Sequence, residues 1–355
     1  MKISRLILSA AILWGFTISC SNEIDLYPDD APQMLFVLGC LDGNGTFQQV
    51  KIRKLIAGNE DATQMINDPA HYLPDTSIRV YLEESNGQQH PFSRVMRPPQ
   101  TGGKFSQDSN LIYELDGYWP FPSRTFTLRI EDPANGKVLS SKIKTMNLPS
   151  FIYPEQFWVD RGKYNLTDPL RPFQVNYSIA PASILTVSLK YVDVMFDGEV
   201  ICRKANHSMT PVYMPHVELA RTLGIQLGVQ VFTLSDWWLL FDRSIPDDPN
   251  VDFRQFYRFD FTVCTGDSAI AQYFYVADRF TDNRRQSFSN IDGGMGLFFA
   301  TSAARLVNVR PYEKFNTFLA SNDTTAHLRF LSYPYTGVYI DPDSTLVNPF
   351  LSLLR

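Results

Sequence analysis

Short runs in which apolar and polar residues alternate with period two recur along this chain, parted by Gly, Asn, Asp and Pro. Successive side chains of a strand point to opposite faces, so this period gathers the apolar residues on one face when the backbone is extended. Gln49-Val50-Lys51-Ile52-Arg53-Lys54, Ile78-Arg79-Val80-Tyr81-Leu82, Leu111-Ile112-Tyr113-Glu114-Leu115 and Phe126-Thr127-Leu128-Arg129-Ile130 all read as half-exposed strands. Leu35-Phe36-Val37-Leu38 is a run of the buried type. Asp42-Gly43-Asn44-Gly45 and Asn135-Gly136 supply turns, because Asn and Gly tolerate positive φ. The spacing of these strands predicts an immunoglobulin-like β-sandwich over 34–148, with residues 55–76 a long polar loop at one of its ends.

Pro149 to Pro154 reads as a linker, since two prolines flank an extended aromatic segment. Beyond it, alternation resumes at Phe173–Tyr177, Leu185–Leu189 and Tyr257–Val263, so 155–355 is expected to be a second β-rich, sandwich-like domain. Two stretches break the pattern as short helices. One is Val217 to Leu223. The other is Ser268 to Phe280, with Ser268 as N-cap and Ile270, Tyr273, Phe274 and Ala277 along one face. The fold class expected is therefore mainly β with one or two short helices.

Composition narrows the function classes. With 44% hydrophobic, 14% aromatic and 19% charged residues, the chain of 355 residues is too apolar to be disordered. Four cysteines make no disulfide scaffold, and a formal net charge of −5 excludes a generally basic nucleic-acid binder. Length suits two domains, each able to bury a core.

The first twenty residues read as an address. Lys2 and Arg5 precede the uncharged run Leu6 to Ile18, which ends in Thr17-Ile18-Ser19-Cys20. As a helix that run spans about 20 Å, short of the roughly 30 Å hydrocarbon core, so it reads as a signal peptide over 1–19 and not as a membrane span. Ser19 before Cys20 fits lipoprotein processing, which makes Cys20 the expected site of lipid attachment; Thr17 departs from the Leu usual in a lipobox. Ordinary secretion, with Cys20 a plain residue, is the competing reading. Residues 20–33, beginning Cys20-Ser21-Asn22-Glu23-Ile24-Asp25, read as a polar tether. Loss of Lys2 and Arg5 takes the net charge from −5 to −7.

Several of these stretches, in their order, resemble a family of Bacteroidota outer-membrane lipoproteins catalogued as a domain of unknown function and often encoded beside TonB-dependent receptors. The resemblance rests on Cys20, on Glu23-Ile24-Asp25-Leu26, on Leu35-Phe36-Val37-Leu38-Gly39-Cys40-Leu41-Asp42, on Ile112-Tyr113 and Phe126–Ile130. In the second half it rests on Tyr273-Phe274-Tyr275 and Ser289-Asn290-Ile291-Asp292-Gly293-Gly294-Met295-Gly296-Leu297-Phe298. It implies a lipid-anchored, surface-exposed accessory protein of a nutrient-uptake or similar outer-membrane complex, and it brings no catalytic residues. A TonB-dependent receptor or another outer-membrane protein is the partner implied.

The chemistry of individual residues adds little to this. Cys40, Cys202 and Cys264 form no C-x-x-C pair and have no His at ligand spacing; a Cys202–Cys264 disulfide is one reading, buried thiols the favoured one. The five His at 71, 90, 207, 216 and 327 make no H-E-x-x-H, and no G-x-S-x-G occurs. Asp247-Asp248 with Asp252, and Asp341 with Asp343, read as solvated Asp-Pro turns. Gly293-Gly294-Met295-Gly296 reads as a bulge or tight turn into the core strand Leu297-Phe298-Phe299. No metal, cofactor or enzymatic activity is expected, and the rival readings are a surface hydrolase of glycan or peptide and a structural or adhesive lipoprotein. Aromatic clusters remain. Tyr118-Trp119-Pro120-Phe121-Pro122, Trp237-Trp238 and Tyr333-Pro334-Tyr335 fall in loop-like text, making Trp119, Trp237, Trp238 and Tyr335 the candidate binding residues.

Overall fold

The computed structural model describes residues 34–55, 73–97, 110–161, 165–166, 172–213, 217–218, 222, 228–279, 288–311, 314–332 and 350. Cys20, Tyr335, the signal peptide, the tether and most of the loop expected at 55–76 lie outside these residues, as does much of the helix expected at Val217 to Leu223.

The fold is mainly β, as the alternation requires. The largest sheet runs from β13 (Val200–Ser208) through β12 (Ala182–Met195), β16 (Val251–Gly266), β17 (Met295–Pro311), β1 (Leu35–Asp42), β2 (Gln48–Lys54) and β6 (Asn110–Leu115) to β5 (Ser93–Arg97). Two short strands extend it, β10 (Asn165–Leu166) on β17 and β14 (Val212–Tyr213) on β12. A four-stranded sheet has the order β4 (Gln89–Pro91), β3 (Arg79–Glu84), β7 (Thr125–Asp132), β8 (Lys137–Lys144). A three-stranded sheet joins β15 (Val229–Phe232), β11 (Phe173–Tyr177) and β9 (Phe151–Tyr153), the last lying within the stretch read as a linker. The helices are α1 (Gln156–Asp160), α2 (Leu234–Ser244), α3 (Ser268–Arg279) and α4 (Phe315–Ser321).

The four-stranded sheet packs on the β1, β2, β6 end of the large sheet to make a sandwich. In β7 burial alternates strictly, and Phe126, Leu128 and Ile130 meet Val50, Ile52, Val80, Leu82 and Leu111 in one core. That core is completed from the far end of the chain, by Ile291, Phe298 and Ala300. Strand β17 is the reason. Its first half pairs parallel with β1, Phe36 opposite Met295 through Asp42 opposite Thr301, and its second half pairs antiparallel with β16. One strand thus serves both regions that the sequence separates at 149–154.

On the other side of the linker, β12, β16 and the second half of β17 are covered by the small sheet and by α2 and α4. The core there is aromatic. Trp237 stacks on Phe232 with ring centroids 4.4 Å apart and lies 4.6 Å from Phe259, and Phe241 meets Phe256 edge-on at 4.9 Å. Helix α2 begins at a capping box: the Thr233 N–H donates to Asp236 Oδ2 (2.7 Å) and the Asp236 N–H to Thr233 Oγ1. Trp237, Leu240 and Phe241, at i, i+3 and i+4, form its buried face.

Helix α3 covers the opposite face of the large sheet, over Cys40, Cys264, Leu297 and Phe299. Its range matches the expectation, but the cap is Asp267 and not Ser268. The Asp267 carboxylate accepts from the N–H groups of Ala269, Ile270 and Ala300, at 3.1, 3.2 and 3.0 Å. Its acceptance of the second and third helical N–H groups marks it as the residue before the helix. Burial pushes this carboxyl up to about 7, against the three N–H donors that favour its charge. Gly293 and Gly296 have φ of +79° and +127°, and the strand that follows is buried at Leu297, Phe298 and Phe299, so the glycine cluster is the tight entry into a core strand that its composition predicts.

Two buried aspartates tie the second half together. Asp260 accepts from Lys190 Nζ (2.8 Å), Arg305 Nη2 (3.1 Å) and the Asn308 N–H (2.8 Å). Asp193 accepts from Arg254 Nε (2.8 Å) and Arg203 Nε (3.1 Å), and Arg254 also donates to the carbonyls of Leu328 and Pro246. Cys202 pairs opposite Val192 and Cys264 opposite Ile184, eight residues apart along β12 and so roughly 25 Å, far beyond disulfide reach.

Candidate functional site

The loop joining β6 to β7, residues 116–124, sits at one end of the N-terminal sandwich. Its side chains alternate in depth. Tyr118 is half-buried and packs on the sandwich core, Pro120 is buried, and Trp119 and Phe121 between and beyond them are 43% and 48% exposed. A free loop would turn its largest rings inward, since hiding an aromatic side chain from water contributes a few kcal/mol. Here the backbone is not free to do so.

Hydrogen bonds fix it from both sides. The Tyr118 N–H donates to Thr46 O (3.0 Å), Gln48 Nε2 donates to Tyr118 O (3.1 Å), and Trp119 Nε1 donates to Gly43 O (2.7 Å). These attach the loop to the β1–β2 turn, whose Phe47 is itself 38% exposed. At the other end the Thr145 hydroxyl donates to Phe121 O (2.7 Å), the Arg124 N–H donates to that hydroxyl oxygen (3.0 Å), and the Thr145 N–H donates to Arg124 O (2.8 Å). Ser123 takes φ +56°, a left-handed conformation that costs a non-glycine residue about 1 kcal/mol or more, and its hydroxyl donates to Asn147 Oδ1 (2.6 Å).

Tyr118 and Arg124 of this loop enter a polar group drawn from three segments. Glu84 Oε1 accepts from Tyr118 Oη (2.8 Å) and lies 3.0 Å from His90 Nε2, while Arg124 Nη1 is 3.9 Å from Glu84 Oε2. The His90 and Tyr118 rings are 4.3 Å apart, and the Arg124 guanidinium lies over the Phe121 ring, 5.1 Å from its centroid. The Tyr118 hydrogen bond, with His90 and Arg124 beside it, holds the Glu84 carboxyl below the usual carboxylate range even though burial opposes this. Burial and the same carboxylate push the Tyr118 phenol well above its ordinary value. The Trp119 and Phe121 rings are 5.7 Å apart and tilted by 42°. With its indole N–H already bonded to Gly43 O, Trp119 offers a ring surface and no donor.

Of the four candidate binding residues, Tyr335 lies outside the described residues, and Trp119 is the exposed one among those described. Trp237 is 1% exposed in the aromatic core, which removes it as a binding residue. Its place on the inner face of α2, and not in a loop, is the cause. Trp238 is half-buried and packs against the same core, with its Nε1 buried and without a hydrogen-bond partner. Glu84, His90, Tyr118 and Arg124 carry no joint sequence signal, because strand pairing alone brings β3, β4 and the start of β7 together. Helix α2 did carry one, the Thr233-x-x-Asp236 capping box.

No protein-family model matches the chain, and no curated protein does. A DUF4785 family protein from Legionella pneumophila is similar over 64% of this chain at 9% identity and a TM-score of 0.22. The similar region spans about half, 51%, of that protein's length.

Proposed function

We propose that this chain is an outer-membrane-anchored lipoprotein, exposed at the cell surface, that captures a ligand as the accessory subunit of a TonB-dependent nutrient-uptake system or a similar surface complex. The observation that carries ligand capture is the 116–124 loop: Trp119 and Phe121 are held in water by a backbone bonded at Thr46, Gln48 and Thr145, so their exposure is built and not incidental. A surface fixed before binding loses little entropy on binding, which favours affinity from a small area. Anchoring rests on Cys20 and the polar residues after it. Fourteen residues, 20–33, reach about 45 Å when extended, enough to carry the body clear of the headgroups. The resemblance to the Bacteroidota lipoproteins supports the TonB-dependent partner.

The test is fractionation and co-purification from native membranes. Metabolic labelling with a tagged fatty acid is expected to mark the native chain and not Cys20→Ala, which leaves the membrane fraction. Pull-down in mild detergent is expected to recover an outer-membrane receptor. Unlabelled native protein, or a chain recovered alone, overturns the proposal.

A further inference from the structure

We infer that the ligand of the 116–124 loop is a neutral oligosaccharide, stacked on Trp119 and Phe121 and hydrogen-bonded by Arg124; this rests on the ligand-capture reading above. Area is the first reason. With 43% and 48% of their surfaces in water, the two rings present roughly 200 Å² together. That area matches the apolar face of one or two sugar rings. Geometry is the second. Two rings 5.7 Å apart and tilted by 42° offer faces in different directions, as consecutive rings of a twisted glycan would meet them.

Charge is the third reason. Arg124 is 56% exposed at its side chain and lies beside Phe121, so its donors reach solvent at the edge of the aromatic surface. Its charge is offset by Glu84 3.9 Å away, which leaves hydroxyl groups better matched than carboxylates or phosphates. Trp119 contributes stacking alone, since Gly43 O occupies its N–H.

The test is titration of the full mature chain, solubilised in detergent, with cellohexaose, maltohexaose, xylohexaose and mannohexaose, and in parallel with a pool of hexapeptides. Binding is read by calorimetry and by tryptophan fluorescence. At least one sugar is expected to bind with Kd between about 10 μM and 1 mM. Trp119→Ala and Phe121→Ala should each weaken it at least about tenfold, Arg124→Gln several-fold, and Trp119→Phe only slightly. Thermal midpoints report whether each variant is folded, and Phe121→Ala stands in if Trp119→Ala is not. Absence of binding by the native chain to all four sugars up to about 10 mM, or an unchanged Kd in Trp119→Ala and Phe121→Ala, overturns the inference. Peptide binding lost in Trp119→Ala, with no sugar binding, overturns it too while leaving ligand capture intact.

Discussion

Val37 of β1 lies directly opposite Gly296 of β17, and a Cβ on Gly296 would fall on the Val37 carbonyl. This contact joins the beginning of the described chain to a strand that starts some 260 residues later, and it makes the N-terminal sandwich depend on the C-terminal region. Gly296 also has φ +127°, where an L side chain is strained whatever space surrounds it. Gly296→Ala is expected to destabilise the protein by about 2 to 5 kcal/mol, from strain plus overpacking, read as a lowered denaturant midpoint. The core signals of both regions should fall together, because β17 belongs to both. A variant of native stability would refute the close approach.

Two tryptophans that look alike in sequence should behave in opposite ways. Trp237→Ala empties the centre of the aromatic core and is expected to cost about 3 to 5 kcal/mol. Trp119→Ala removes a half-exposed ring and one hydrogen bond, and about 1 kcal/mol or less is expected. Equal losses in chemical denaturation would contradict these placements.

Asp193 holds two guanidinium groups of very different exposure. Asp193→Ala leaves Arg254, 1% exposed, without a counter-charge and is expected to cost about 3 to 5 kcal/mol. Arg203→Ala removes a side chain that is 44% exposed, and about 0 to 1 kcal/mol is expected. Unfolding curves of the two variants decide this, and similar losses would count against the buried pair.

Glu84 should make stability pH-dependent. Its carboxyl is held below the ordinary value of 4.5 in the folded chain, chiefly by the Tyr118 hydroxyl, so its contribution is fully present above that value and fades as pH falls through the folded one. The stability gap between the native chain and Glu84→Gln is therefore expected to be widest near neutrality, to narrow as pH falls below 4.5 and to close once pH has passed below the lowered folded value. Tyr118→Phe, which removes the largest cause, should narrow the gap at neutral pH. A gap that widens on acidification would reverse the sign and refute the arrangement.

Thiol reactivity should follow depth. Cys202 on β13 is half-buried, whereas Cys40 and Cys264 are buried and burial pushes both thiols up, Cys264 to about 12. In the native chain maleimide is expected to modify Cys202 first, with the other two reacting only on unfolding. Mass spectrometry of the labelled peptides checks the order.

The strands were legible where one face is wet. In β2, β7 and β11 the two faces differ, so period two survives in the residues themselves. It says less where both faces are covered. In β12 Leu185, Val187 and Leu189 enter the aromatic core while Thr186, Ser188 and Lys190 are buried on the reverse, a pattern that shows alternation but conceals its depth. Trp237-Trp238 misled for a related reason, since two adjacent tryptophans do not show which ring faces a core until the helix is wound.

The residues alone determined the β class, the turns at Asp42-Gly43-Asn44-Gly45 and Asn135-Gly136, the span of α3 and the exposed aromatic stretch around Trp119, because each depends on neighbours within a few positions. Tertiary structure decided that β17 closes the N-terminal sandwich and that Glu84 and His90 meet Tyr118 and Arg124 of the loop that carries Trp119 and Phe121. Those facts depend on which strand edges pair across long stretches of chain, and backbone hydrogen bonding between strands is nearly blind to sequence.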